Sequence, residues 1–190
     1  MYAYARVSFS TYEKCVAHPT RWICCKHDLM TLGSILPYLY PQNPRKMNSC
    51  RVIQKAIRCL GQQEVCKLMT KFHDKVMTFI YDPNGNHVIQ RSIQVMSGFA
   101  MADAANDSGN EDPELAATTL SDQMQFIVDD IMTNVELLST HRYGCRVVQR
   151  AVQHCVDSQK FAVLEKIISC HEKLIIDQYG KRTWVAFASS

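Results

Sequence analysis

The chain has 190 residues, of which 47% are hydrophobic and 21% charged. This is the size and composition of one globular domain or one repeat stack, and it excludes a fibrous or wholly disordered protein. Polar residues interrupt every apolar run well before the roughly 18 residues that a membrane helix needs. Residues 1–18 contain no uninterrupted apolar segment of the kind found in secretory signals. Nine cysteines without a CxxC pair indicate reduced thiols. We therefore expect a cytosolic or nuclear protein without a transmembrane span.

The charge of the chain is unevenly distributed. The formal net charge is +3, from 21 basic and 18 acidic residues. Residues 98–122 contain six acidic residues and no Lys or Arg, so the other 165 residues carry 21 basic residues against 12 acidic ones. Basic residues cluster in 45–58 and again in 142–150. This pattern is typical of a modest polyanion binder, although basic runs taken alone more often cover solvated helix faces.

Residues 1–44 match no repeat in the rest of the chain. They contain three cysteines and two histidines whose spacing fits no zinc-finger pattern, so we expect neither a metal site nor a cofactor. The apolar runs of this segment predict an irregular cap on the first structural unit or a disordered segment. A separate repeat-containing region is predicted for residues 45–190.

The dominant signal in residues 45–190 is an internal repeat. Three blocks superimpose without a gap: NSCRVIQKAI from Asn48, NGNHVIQRSI from Asn84 and YGCRVVQRAV from Tyr143. A fourth copy begins at Tyr179 with YGKR. Counted between equivalent residues, the spacings are 36, 59 and 36. The middle spacing exceeds the period by 23, and the acidic stretch at about 98–120 is predicted to be a disordered loop inserted between two units.

The segments between the blocks have helical periodicity. Apolar residues recur at intervals of three and four in 65–80 and in 126–138, and Asn, Pro and Gly residues precede each block. A 36-residue period with about three short helices is typical of an α-solenoid, whose units bury their apolar faces against their neighbours. The predicted fold class is therefore all-α.

Each repeated block places three residues at corresponding positions off its main apolar stripe. They are the third, fourth and seventh residues of the block, and they share one side of a helix. Below, they are called the first, second and fifth triplet positions. The second residue is a planar Arg or His, a side chain that stacks on unpaired bases, and the fifth is always Gln, an amide that can contact a base edge. These triplets are Cys50, Arg51 and Gln54; Asn86, His87 and Gln90; and Cys145, Arg146 and Gln149.

Three segments of the chain resemble consecutive repeats of the PUF family, which carries the Pumilio homology domain. They are PNGNHVIQ from Pro83, LSTHRYGCRVVQR from Leu138 and DQYG from Asp177. The resemblance covers about 45–180. It implies a right-handed, armadillo-like α-α superhelix of three-helix Pumilio repeats. In that family the concave face binds single-stranded RNA antiparallel to the protein, with one base per repeat.

The resemblance also implies which bases each triplet contacts. Cys50, Arg51 and Gln54 would contact adenine, the triplet at 86–90 would contact uracil, and that at 145–149 a second adenine. The implied core is 5′-AUA-3′ within UGUA-type elements of messenger 3′ untranslated regions. The implied function is post-transcriptional regulation of mRNA translation and stability in the cytoplasm, with regulatory proteins on the convex face. The sequence contains no Gly-rich phosphate loop, GxSxG or HExxH motif, so we expect no enzymatic activity. We expect neither DNA nor a membrane as a partner.

The fourth copy departs from the family pattern. Lys181 and Val185 replace the expected base-reading residues, whereas Arg182 retains a side chain that can stack on a base. Residues 183–190 do not continue the helical pattern of the other copies, which predicts a truncated last repeat at about 171–190. Two alternatives therefore remain open: RNA binding with little sequence choice, and a helical protein-interaction scaffold with little RNA affinity.

Overall fold

The computed structural model describes residues 47–105 and 113–188, and these two ranges contain helices and no strand. The all-α prediction is confirmed, whereas the prediction for residues 1–44 lies outside the described residues. The elements are α1 (Met47–Cys59), α2 (Gln62–Met69), a 3₁₀ helix (Thr70–Lys75), α3 (Val76–Tyr81), α4 (Asn86–Ala105), α5 (Pro113–Thr133), α6 (Val135–Ser139), α7 (Gly144–His154), α8 (Asp157–Ser169), α9 (His171–Ile176) and α10 (Gly180–Ala188).

The helices form repeated units stacked in chain order. We call α1, α4, α7 and α10 the triplet helices because they contain the repeated blocks, and α2, α5 and α8 the back helices because each follows a triplet helix. Consecutive triplet helices pack side by side, and the back helices α5 and α8 also contact each other. The short helices α3, α6 and α9 lead into the triplet helices. This is the predicted α-solenoid, in which each unit is stabilised by its neighbours.

The core consists of the apolar stripes of the triplet helices together with residues of the short and back helices. Ile53 and Ile57 of α1, Ile93 of α4, and Val148 and Val152 of α7 are at most 2% exposed. Burying one such aliphatic side chain contributes about 1.5–3 kcal/mol. The stripes therefore fix which side of each triplet helix faces solvent.

The 23-residue insertion lengthens two helices. α4 continues to residue 105 and α5 begins at residue 113, so they reach 20 and 21 residues, whereas α1 has 13 and α7 has 11. Within the described residues, the prediction of a disordered loop over about 98–120 is therefore wrong, and only 106–112 lies outside them. The physical reason is that Ala, which is frequent on both sides of this gap, is the strongest helix former, and Leu and Glu at the start of α5 are also strong helix formers.

Residues 183–188 are also helical, contrary to the expectation from their sequence. Thr183 is fully buried, and α10 packs against both α7 and α9. Trp184 stacks on Phe187 with 4.8 Å between the ring centroids. Packing against the preceding unit therefore stabilises a helix whose own apolar pattern does not match the other copies. Among the described helices, none is both long enough and apolar enough to span a lipid bilayer.

Candidate functional site

Three of the triplet helices begin at a turn with the same hydrogen-bonding pattern. Asp82 Oδ1 accepts from the backbone N–H groups of Asn84 and Gly85, at 2.8 and 2.6 Å. Asp177 Oδ1 accepts in the same way from Tyr179 and Gly180, at 2.8 and 2.7 Å. In the third unit, His141 Nδ1 accepts from the N–H groups of Tyr143 and Gly144, at 3.3 and 3.2 Å. Each acceptor satisfies backbone donors that the start of a helix leaves free.

Close backbone contact brings each of these turns against the preceding short helix. A Cβ atom at Gly85 would lie 2.7 Å from the carbonyl oxygen of Phe79, and one at Gly144 would lie 2.6 Å from that of Leu138. Only glycine permits these approaches without a backbone shift. The glycines therefore hold the first turn of α4 and of α7, and with it the triplet, close against the preceding short helix.

The three positions of a triplet differ in exposure. The first position is buried: Cys50 is 4%, Asn86 1% and Cys145 0% exposed. The sequence pattern placed these residues outside the main apolar stripe, but the folded stack buries them, Asn86 and Cys145 against their turns and Cys50 in the core. The second position, at Arg51, His87 and Arg146, is exposed, and the Gln at the fifth position is partly buried at Gln54, Gln90 and Gln149. Each triplet thus has a buried first residue, an exposed planar side chain at the second position and a partly buried amide at the fifth.

The second triplet is internally hydrogen-bonded. Asn86 Nδ2 donates to the carbonyl oxygens of Asp82 and Pro83, at 2.8 and 2.9 Å. Gln90 Nε2 donates to Asn86 Oδ1 at 2.8 Å. Asn86 is therefore engaged with the turn, and the groups of this triplet that remain available to a ligand lie mainly on Gln90 and His87.

The third triplet has a polar atom without a partner. Gln149 Nε2 is buried and has no hydrogen-bond acceptor among the described residues. Leaving such a donor unsatisfied costs about 1–3 kcal/mol. Burial raises the pKa of the neighbouring Cys145 thiol, which therefore remains protonated near neutral pH. The site offers a small neutral surface beside an unsatisfied amide donor.

Electrostatic effects show that successive triplets are neighbours in space. Partial desolvation and the nearby Arg146 lower the pKa of His87. Burial, together with Asp82 of the next unit, raises the pKa of the Cys50 thiol to about 11. The charge of Arg182 in the fourth unit lowers the pKa of the Cys145 thiol and so opposes the effect of burial. The four units therefore present their triplet positions as one continuous row.

A cleft of about 280 Å³ lies where the second, third and fourth units meet. Four predicted site residues line it, namely Asn86 and His87 of the second unit, Arg146 of the third and Arg182 of the fourth, whereas no residue of the first triplet does. Sequence analysis did not single out Tyr143 and Tyr179, although both stand two residues before the first triplet position of their units. The cleft is lined by Pro83, Asn86, His87, Arg142, Tyr143, Arg146, Tyr179 and Arg182.

The fourth triplet position is incomplete as a base-reading site. Lys181, Arg182 and Val185 are all exposed, and Val185 is 63% exposed. The guanidinium of Arg182 lies 6.0 Å from the centroid of the Tyr179 ring, and that of Arg142 lies 4.8 Å from the Tyr143 ring. Such distances are typical of cation–π contacts. The fourth unit thus contributes a planar cation to the cleft.

A larger groove, of about 1080 Å³, lies between α2, the 3₁₀ helix and α5. It contains no triplet residue, and its lining includes His73, Asp74 and Phe126. Because the repeated polar residues meet in the smaller cleft, we take that cleft as the functional site. Within residues 47–105 and 113–188, no group of three or more His, Cys, Asp or Glu side chains is placed to bind a metal ion.

Charge separates the two rows of helices. α1, α7 and α10 contain no Asp or Glu, whereas the back helices α5 and α8 both contain acidic residues. A basic surface carrying projecting planar side chains and amides at a regular interval is suited to a polyanion with flat, hydrogen-bonding units. Fold and site together define an α-solenoid of the nucleic-acid-binding class.

The family follows from comparison with known proteins. The model of the Pumilio-family RNA binding repeat matches residues 47–72, 75–98 and 134–168. These segments contain the three complete triplets. The chain belongs to the PUF family and carries a partial set of Pumilio repeats.

Relatives and solved structures agree with this assignment. The suppressor protein MPT5 of Saccharomyces cerevisiae is 32% identical over 109 residues, which is 56% of this chain and 10% of that protein. A Pumilio domain-containing protein of Schizosaccharomyces pombe is 28% identical over 147 residues, covering 77% of this chain and 18% of that protein. The chain thus spans less than a fifth of the length of these relatives.

Solved structures that are similar in fold include the following two. One is the Puf3 RNA binding domain bound to a Cox17 RNA 3′ UTR recognition sequence. It has a TM-score of 0.62 and 27% identity, with 82% of this chain and 36% of that chain covered. The other is PUF-8 in complex with PBE-RNA, with a TM-score of 0.65, 24% identity, and coverage of 92% and 49%. The second similarity supports the solenoid fold alone.

Proposed function

We propose that the chain binds single-stranded RNA with base selectivity and regulates mRNA translation or stability after transcription. The observation that carries this proposal is the cleft that joins His87, Arg146 and Arg182 of three successive units. Planar cations and rings at a regular interval suit a strand of unstacked bases. The RNA in the structure of the similar Puf3 domain supports the same class of ligand.

The third triplet is suited to adenine. The unsatisfied Nε2 of Gln149 is a donor for which adenine N1 is a matching acceptor. Cys145 supplies a small neutral surface beside it, and Arg146 projects from the helix to stack on the base. Cys50, Arg51 and Gln54 have the same residue types at the same positions, so we extend the proposal to a second adenine at the other end of the row.

The second triplet is suited to uracil. Gln90 keeps Oε1 and one N–H available after donating to Asn86, and these match the N3–H and a carbonyl oxygen of uracil. His87 is exposed and stacks on the base. With the strand antiparallel to the protein, the bound core is 5′-AUA-3′ within a UGUA-type element of a 3′ untranslated region.

We further propose that the chain acts without enzymatic activity, in the cytoplasm, and brings regulatory proteins to the transcript through the surface opposite the triplet row. The family match and the RNA-bound structural relative favour this function over that of a scaffold that does not bind RNA. Three complete triplets also favour base selectivity over RNA binding without sequence choice.

Fluorescence anisotropy with 5′-UGUAUAUA-3′ tests the proposal against an RNA in which the inner AUA is replaced by CCC. We expect a preference of at least about tenfold, because one mismatched base typically costs 1–3 kcal/mol. Gln149→Ala should reduce this preference, whereas Gln63→Ala, a change at an exposed glutamine of the back helix α2, should leave it unchanged.

Circular dichroism and denaturation must first show that each variant is helical and folds cooperatively. Equal binding of both RNAs by the folded chain would contradict base selectivity. Absence of binding to either RNA would contradict the proposed function altogether and favour the scaffold alternative.

A further inference from the structure

Beside the triplets, the triplet helices carry a second row of basic residues. The position four residues after the middle triplet residue is Lys55 in α1, Arg91 in α4 and Arg150 in α7. Residues four apart lie on the same side of a helix, one turn apart. Arg58 follows Gln54 by the same interval. This second row therefore lies on the triplet side of the stack, one turn closer to the helix C-termini.

Arg91 of α4 is near enough to Arg58 of α1 and Arg150 of α7 for their charges to act on it. Desolvation by burial, followed by the charges of Arg58 and Arg150, lowers the pKa of Arg91. Arg91 thus lies between cations of the two neighbouring triplet helices. His154 of α7 lies near the same cluster, and burial and then Arg150 lower its pKa. Its Nε2 atom lies 3.3 Å from Nε2 of Gln94 in α4.

The fold does not neutralise this cluster. The ion pairs found within the described residues are His73–Asp74 and Lys173–Glu136, and neither involves these arginines. Arg91 Nε is buried and has no acceptor among the described residues. Arg150 Nη1 donates to Gln153 Oε1 at 3.2 Å, which satisfies a donor but not the charge. Like charges around an unsatisfied donor destabilise the free protein, so this arrangement suits an anionic ligand better than a structural role.

We propose that Arg58, Arg91 and Arg150 bind a phosphodiester group of the RNA strand whose bases contact the neighbouring triplets. The planar guanidinium donates two parallel N–H bonds to phosphate oxygens, a geometry that a lysine lacks. The triplets select bases, while this cluster contributes affinity that does not depend on the base and fixes the path of the backbone. This inference rests on the proposed function and assigns a separate part of the interface to it.

The test measures RNA affinity as a function of salt concentration for the wild-type chain and for Arg91→Gln. Removing one phosphate contact should reduce the slope of log affinity against log salt by about 0.7 for a single strand. Affinity should fall by the same factor for the AUA and CCC RNAs, so that their ratio is preserved. The matched control is Lys166→Gln on the back helix α8, which removes one exposed charge and should leave slope and affinity unchanged.

Protein stability separates a binding role from a structural one. Because Arg91 lies between two other cations, Arg91→Gln should leave the stability of the RNA-free protein unchanged or raise it. A loss of RNA affinity accompanied by an equal loss of stability would contradict the proposal. Arg91→Lys should retain the salt slope but bind more weakly than wild type, because the bidentate contact is lost.

The outcomes distinguish this inference from the proposed function. An unchanged salt slope in Arg91→Gln, with base preference still dependent on Gln149, would overturn the phosphodiester site and leave base-selective binding intact. Binding of inorganic phosphate to the RNA-free protein at constant ionic strength, detected at the Arg91 Nε–H resonance and unaffected by RNA, would indicate a free-anion site and also overturn it. Absence of any RNA binding by the wild type would contradict both proposals.

Discussion

The second and third units build the same turn from different acceptors. In the second unit a carboxylate oxygen of Asp82 accepts from two backbone N–H groups at 2.6 and 2.8 Å, whereas in the third unit a ring nitrogen of His141 accepts at 3.2 and 3.3 Å. Hydrogen bonds to a charged acceptor are shorter and stronger than those to a neutral one. Both units thus have the same turn geometry, while the acceptor determines the strength of the turn and its response to pH.

Removing the close approach that both turns share should have the largest effect. Gly85→Ala and Gly144→Ala would each place a Cβ within 2.7 Å of a backbone oxygen, so we expect each to lower the free energy of unfolding by about 3 kcal/mol. Urea denaturation measures this change. Gly98→Ala is the matched control, because its Cβ would meet nothing within 4 Å and alanine favours the helix by up to about 1 kcal/mol. Equal effects at Gly98 and Gly144 would show that close approach is not the cause.

Removing the acceptor alone should distinguish the two turns. We expect Asp82→Ala to lower the free energy of unfolding by about 2 kcal/mol and His141→Ala by about 1 kcal/mol, because hydrogen bonds to charged groups contribute more. Denaturation of both variants at pH 7.5 provides the measurement. A larger loss for His141→Ala would contradict the ranking of the acceptors and indicate that the ring contacts of His141 dominate.

Acidification should selectively weaken the turn of the third unit, in which His141 is the acceptor. Burial and then Arg142 lower the pKa of His141 below its ordinary value of 6.5, and only an unprotonated Nδ1 can accept the two N–H bonds. The unfolded chain therefore binds the proton more readily, so this contribution to stability is complete above pH 6.5 and is lost as the pH falls below it. The rings of Tyr81 and Tyr143 pack against His141, with centroids 4.7 and 5.5 Å away, and neither supplies a compensating negative charge.

The measurement is the difference in stability between the wild type and His141→Asp from pH 7.5 to pH 5. The wild type should lose more stability over this range, because the variant has a carboxylate acceptor, like Asp82 in the second unit, which stays ionised down to pH 5. His87 and His154 also have lowered pKa values, but they are present in both proteins and cancel in the difference. Parallel pH profiles would show that His141 does not accept these hydrogen bonds.

The smallest effect is expected from Arg142, the cation beside the His141 turn of the third unit. Arg142→Gln removes the second cause of the lowered His141 pKa, so that pKa should move up while burial still holds it below 6.5. A titration of the His141 ring followed by NMR gives this value directly. Lys173→Gln, distant in sequence and paired with Glu136, serves as the control and should leave the titration unchanged.

The period and the apolar stripes were sufficient to predict the helical stack, because burial requires the same positions to recur in every unit. The composition of 98–105 and 113–120 was misleading, since acidic and small residues are typical both of loops and of exposed helices. The pattern at 183–188 was misleading for a related reason. A helix at the end of a repeat is stabilised by its neighbour, and this contact is absent from its own sequence.

The candidate site was predictable in part. Repetition identified all three triplets, but it did not reveal that Cys50, Asn86 and Cys145 are buried while the middle residues project. It also did not reveal that Tyr143 and Tyr179 line the same cleft, or that Arg91 lies between two other arginines. These properties depend on distances between units, and a sequence pattern describes each unit separately.

Local periodicity and the burial of apolar side chains were enough to predict the repeat, the all-α class and the apolar stripe of each triplet helix from the sequence. Tertiary structure decided which units share a cleft, which amide donors remain unsatisfied and which cations lie side by side. The physical reason is that hydrogen bonds and electrostatic interactions between units depend on separations of a few ångströms, and only the packing of neighbouring helices sets those separations.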